Sequence, residues 1–169
     1  MSKEEALELA EGEPSERDHL EPGDVRDQAV QAILQAKELL ERVYDLTYLE
    51  AKLHCDAYHD GKKSFSDLGE TYGYINSYVR RENGSNTLRF QYRRPTSGGS
   101  LIRENIRMPA NGYTEASFRR SAHEFETELA VMTEESYSRL RKRGKNVRTV
   151  IRKLRSVANI EITETDDDE

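Results

Sequence analysis

From Val25 to Ala57 apolar residues return at alternating steps of four and three: Val25, Ala29, Ala32, Ala36, Leu39, Val43, Leu46, Leu53 and Ala57, with Glu50 the one polar member. A spacing that averages 3.5 lines one face of an α-helix and fits no strand. Ile33, Leu40, Tyr44 and Leu49 widen the stripe beyond a narrow coiled-coil seam. Asp24 stands where an N-cap is needed and Asp60-Gly61 where a helix would stop, so the pattern predicts one helix from about residue 24 to 58. Such a helix spans roughly 50 Å at 1.5 Å per residue. A rod of that length cannot bury its stripe against a small globule. It needs a second long helix, from the same chain or from another copy.

The period then changes. Lys62 to Gly73 reads as a loop. Tyr74–Arg81 is rich in β-forming residues and is followed by Asn83-Gly84, a hairpin turn signal. Thr87–Arg94 alternates, with Leu88, Phe90 and Tyr92 on one face and Arg89, Gln91 and Arg93 on the other. A Pro-, Gly- and Ser-containing turn over 95–100 leads to Leu101–Met108. There Ile102, Ile106 and Met108 alternate with Arg103, Asn105 and Arg107. Beyond Pro109–Gly112, the residues Phe118, Ala122, Phe125, Leu129 and Met132 resume helical spacing, continued less strictly by Tyr137 and Leu140. Gly144 reads as an interruption, and Val147, Val150, Ile151, Leu154 and Val157 line a shorter helix after it. The expected fold is α+β: a long N-terminal helix, a three-stranded antiparallel meander, a long C-terminal helix and a short basic helix, with acidic disordered tails. The expected division is a tail over 1–23, a single domain over 24–158 and a second tail over 159–169.

Charge separates along the same boundaries. Residues 1–27 hold ten acids and three bases, and 161–169 hold six acids and no base. The 28–160 body therefore carries 23 bases against 16 acids, although the 169-residue chain as a whole is −6. A basic body between acidic ends points to a polyanionic partner. No run approaches the ~20 apolar residues of a membrane span, so no membrane role is expected. The first residues carry no secretory signal pattern, and the single cysteine, Cys55, suits a reducing compartment. A cytoplasmic protein is the expectation.

Two clusters carry the chemistry. Period-2 alternation puts Arg89, Gln91, Arg93, Arg103, Asn105 and Arg107 on one surface, and Asn76, Tyr78 and Arg80 join them if Ile75, Ser77 and Val79 face inward. Guanidinium forks and carboxamides are the groups that make paired contacts with guanine and adenine edges. Between Ile75 and Arg120 there are nine arginines and no lysine, which favours directional pairing over a generic charged surface. The second cluster is Arg139, Arg141, Lys142, Arg143, Lys145, Arg148, Arg152, Lys153 and Arg155, nine bases with no acid among them. These are expected to hold phosphates with little sequence content.

No catalytic or cofactor motif is present: there is no GxGxxG, Walker or GxSxG pattern. His54, Cys55, Asp56 and His59 crowd together, but a metal site needs converging partners that the spacing does not supply. No metal and no cofactor is expected. A cationic histidine at the helix C-terminus is the expected role there.

One family shares this pattern. A basic strand, then Leu101-Ile102-Arg103-Glu104-Asn105-Ile106-Arg107, Gly112-Tyr113, Ser117-Phe118, Glu124-Phe125-Glu126-Thr127-Glu128-Leu129, Thr133-Glu134-Glu135, Arg139-Leu140-Arg141-Lys142 and Ile151-Arg152-Lys153 resembles the conjugative transfer protein MobI and its relatives. The resemblance covers 25–157 loosely and 87–155 best. It implies a non-enzymatic accessory factor that binds double-stranded DNA near a transfer origin and helps a separate relaxase. The alternative is an interaction module whose long helices dimerise or dock a partner, with the basic face meeting an acidic protein.

Overall fold

A computed structural model describes residues 21–69, 73–96, 98–119 and 123–166. Six elements follow in order: α1 (Pro22–Asp67), β1 (Ile75–Glu82), β2 (Ser85–Pro95), β3 (Leu101–Asn105), α2 (Glu115–Phe118) and α3 (Glu124–Asp166). The three strands form one antiparallel sheet in the order β1-β2-β3, the expected meander. Asn83 and Gly84 both take positive φ, 49° and 69°, between the paired residues Glu82 and Ser85. This is the two-residue hairpin that Asn-Gly favours, because its twist matches that of the strands.

The chain divides into two compact units. Residues 42–149 hold the sheet and its core. One sheet face presents Ile75, Val79, Leu88, Phe90 and Tyr92, and it is buried against Ala51, Cys55 and Tyr58 of α1 and Ala130, Tyr137 and Leu140 of α3. Phe90 sits at the centre, with Phe118, Tyr113, Tyr137 and Tyr58 ring centroids at 5.0, 5.2, 5.7 and 5.9 Å. Burying such a ring stabilises by about 1.5–3 kcal/mol, and edge-to-face neighbours add to it. The buried hydroxyls are satisfied: Ser77 and Tyr137 share a hydrogen bond at 2.5 Å, and Tyr58 donates to the Ile75 carbonyl at 3.0 Å. The other unit comprises residues 1–41 and 150–169. In it Ile151 and Ala158 of α3 are buried, and Arg155 pairs with Glu41 at 2.9 Å.

Three boundaries differ from the expectations. First, α1 does not stop at Asp60-Gly61. Gly61 lies under Leu129, where a Cβ would come within 3.0 Å of Leu129 Cδ2, so the glycine serves a close approach rather than a turn. Lys62, expected in a loop, is a fully buried helical residue. Second, α3 runs through Gly144 without a break, so the expected separate basic helix is the C-terminal part of one 43-residue helix. Gly144 faces Tyr44, whose Cε2 would be 3.3 Å from an added Cβ. Third, Phe118 belongs to α2, not to the helix that follows; Ala122 lies outside the described residues. The tail expected over 1–23 is outside them up to residue 20, and α1 begins at Pro22. The tail expected from 159 is helical to Asp166, and 167–169 lie outside.

The apolar stripe of α1, and that of α3 as far as Met132, are also displaced by one residue, while Tyr137, Leu140, Val147 and Ile151 of α3 are inward as expected. On α1 the buried positions are Thr47, Ala51, Cys55, Tyr58 and Lys62, while Leu39, Val43, Leu46 and Leu53 of the expected seam are exposed. On α3 the inward positions are Glu126, Ala130, Thr133, Tyr137, Leu140, Gly144, Val147 and Ile151, an unbroken alternation of four and three, and Met132 is exposed. Polar and glycine residues at inward positions hid this phase.

Candidate nucleic-acid interface

β2 is the middle strand, so its outward residues have neighbours on both sides. The register sets Gln91 opposite Asn76 on β1 and Asn105 on β3, making a carboxamide row across the sheet. One step along, Arg89 stands opposite Tyr78; one step the other way, Arg93 stands opposite Arg103. Ile75, Ser77 and Val79 do face inward, so Tyr78 and Arg80 join this face. Asn76 shares it but is covered. With its carboxamide turned so that the oxygen meets Arg93, that oxygen accepts from Nε at 3.3 Å and the nitrogen donates to the Ile75 carbonyl at 3.3 Å.

Arg89, Arg103 and Arg107 are exposed and Arg93 is half-buried. Among the described residues, no carboxylate forms an ion pair with any of the four. Like charges directly opposite each other destabilise a strand pair, so the Arg93–Arg103 juxtaposition is a cost to the fold alone. An anion lying across it removes that cost. Tyr78 donates to Asn105 Oδ1 at 3.0 Å, and the Arg80 guanidinium lies 5.2 Å from the Tyr78 ring centroid, so the rim of the face is held in place. Arg81 turns away: it bonds Asp45 at 2.8 Å and packs over Tyr48. β3 differs from expectation: Ile102, on the face opposite Arg103, is exposed, and so is Leu101 on the Arg103 side, and the strand ends at Asn105 instead of running on to Met108. They stand on the edge strand; Ile106, just past the end of β3, is buried and Arg107 is exposed.

The second cluster divides by what each base touches. Within residues 42–149, Arg141 is part-buried and donates to both the Glu134 carboxylate and the Leu88 carbonyl. Arg143 pairs with Glu50 at 2.5 Å, Arg148 donates to Ser85 Oγ, and Arg139 reaches Ser136 at 3.3 Å. Lys142 and Lys145 are exposed and form no ion pair with a described carboxylate. In the other unit Arg155 is paired with Glu41, whereas Arg152 and Lys153 are exposed and form no such pair. Sequence spacing could not show the Glu41 and Glu50 pairings, because those acids meet their arginines through the fold, whereas Glu134 lies seven residues before Arg141 on the same helix.

The Cys55–His59 neighbourhood is part of the core. The Cys55 thiol and His59 Nε2 both point at the Ser77 carbonyl, at 3.5 and 3.0 Å. The hydrogen bond to Cys55 raises the His59 pKa against the opposing effect of burial. The helix continues past His59, so the cationic tendency comes from this contact and not from a helix C-terminus. Among the described residues no group of three or more His, Cys, Asp or Glu side chains converges.

The family model described as MobI protein matches residues 47–155. That span contains the whole sheet and the basic run of α3. No curated protein and no solved structure matches the chain.

Proposed function

The chain belongs to the MobI family, and from that premise we propose that it is a non-enzymatic, cytoplasmic DNA-binding accessory protein that assists a relaxase at a transfer origin during conjugative mobilisation. The observation that carries the reading is the outward face of the sheet. Arg89, Arg93 and Arg103 of the sheet, and Arg107 two residues past the end of β3, are without carboxylate partners among the described residues, and Gln91 and Asn105 stand on the same sheet face. A sheet face of this composition offers guanidinium forks to phosphates and to guanine edges and carboxamides to adenine edges. Double-stranded DNA is the partner of that shape and charge, since its major groove admits a β-ribbon. Lys142 and Lys145 add phosphate contacts. Arg141, Arg143, Arg148 and Arg155 serve the fold first.

The test is fluorescence anisotropy on labelled duplex DNA at low salt, comparing the wild type with the quadruple substitution Arg89→Glu, Arg93→Glu, Arg103→Glu and Arg107→Glu. The reading predicts loss of binding of at least two orders of magnitude with an unchanged circular dichroism spectrum, since four phosphate-class contacts become repulsive. Equal binding by both proteins would move the interaction off the sheet. The same variant that loses DNA but keeps its helix-mediated associations separates this reading from an acidic-protein partner.

A further inference from the structure

Among the described residues nothing covers one stripe of α1. Val43, Leu46, Leu49 and Leu53 are 39, 55, 56 and 70% exposed, while Thr47, Ala51 and Cys55 on the adjoining face are buried. Four large apolar side chains on one helix face form a contiguous patch, and such patches mark interaction surfaces rather than ordinary solvent exposure.

The order of the residues says what the partner is. About Leu46 the helix has a mirror arrangement. Val43 and Leu49 lie three residues to either side, and Arg42 and Glu50 lie four residues to either side with opposite charges. The pattern continues one turn outward in the sequence, where Leu39 and Leu53 are equidistant from Leu46. We propose that a second copy of the chain docks antiparallel on this stripe, with the two-fold axis at Leu46. The operation sets Leu46 against its own copy, Val43 against Leu49, and Arg42 beside Glu50 at two symmetric places. A parallel pairing in register would instead put arginine level with arginine and glutamate level with glutamate. Glu50 already accepts from Arg143 at 2.5 Å, and a carboxylate has room for a second guanidinium. The interface is thus self-complementary in shape class and in charge, and it uses none of the arginines of the sheet face.

Sedimentation of the full chain tests the state, and cross-linking tests the geometry. The wild type is expected at twice 19.5 kDa at micromolar concentration and Leu46→Glu at the single mass with unchanged helicity. Arg42→Glu is expected to weaken association about tenfold or more, and the double variant Arg42→Glu/Glu50→Arg to restore it. With a short bis-maleimide, Leu46→Cys is expected to cross-link to itself. Leu53→Cys is expected to behave as the wild type, whose one thiol, Cys55, is buried. Three results would overturn the proposal: a monomeric wild type, equal cross-linking at positions 46 and 53, or a Leu46→Glu variant that loses thermal stability at unchanged mass. The last would mean that the stripe is covered from within its own chain.

Discussion

Lys62 and Glu126 meet at 2.9 Å with both side chains fully shielded from solvent. Glu126 also accepts from the backbone amides of Tyr74 and Ile75, at 3.1 and 2.9 Å, and Lys62 donates to the carbonyls of Gly73 and Ile75. Two side chains from α1 and α3 therefore anchor the first residues of β1. Burial draws the Lys62 pKa down, and the bond to Glu126 opposes that. Removing one partner of such a pair leaves the other charge buried, which costs more than the pair itself contributes. Lys62→Met is expected to lose about 3–5 kcal/mol in urea unfolding; a loss below about 1 kcal/mol would show that the Glu126 amide contacts suffice alone. Nothing in the sequence marks this pair. Lysine after Asp60-Gly61 reads as a loop residue and Glu126 as one acid among several at a helix start, because their partners are backbone groups brought near only by the fold.

At the level of elements, Gly144 links a helix to a hairpin. Its missing side chain seats the Tyr44 ring, whose hydroxyl donates to the Gly84 carbonyl at 3.2 Å and accepts from the Asn86 amide at 3.0 Å. Gly144→Leu would drive the ring off the β1–β2 turn, and about 1–3 kcal/mol of destabilisation is expected by thermal denaturation, against the gain in helix propensity. An unchanged or raised melting temperature would contradict this seating. The strands were legible because period-2 alternation survives without knowledge of the partner: Leu88, Phe90 and Tyr92 are buried, and Arg89 on the opposite face is exposed. The helices were legible as helices, and in phase over α3 from Tyr137 on, but not on α1 or at the start of α3. An apolar stripe indicates which face prefers to be dry. On α1 that stripe is the exposed one, and the face with Thr47, Cys55 and Lys62 is dry instead. Glu126, Thr133 and Gly144 do the same on α3, and Gly144 in particular looks like a break only until its neighbour is known.

Over the whole molecule, the candidate site was legible in kind and not in membership. Alternation alone predicts Arg89, Arg93, Arg103 and Arg107 on one side; the sheet register brings Arg93 and Arg103 face to face, and Arg107 lies past the end of β3. The basic run of α3 read as one uniform cluster. The fold divides it into bases held by acids far away in sequence, such as Arg143 with Glu50 and Arg155 with Glu41, and exposed ones such as Lys142 and Lys145. Phosphate binding by such groups releases counterions, so its strength must fall with salt in proportion to the number of contacts. The central claim is that the sheet face is the DNA contact surface, and the most direct measurement is the slope of log affinity against log salt for duplex DNA, taken on the wild type and on Arg103→Ala. The account predicts a steep negative slope for the wild type, shallower by about one unit in the variant. A slope near zero, or one that the substitution leaves unchanged, would contradict it.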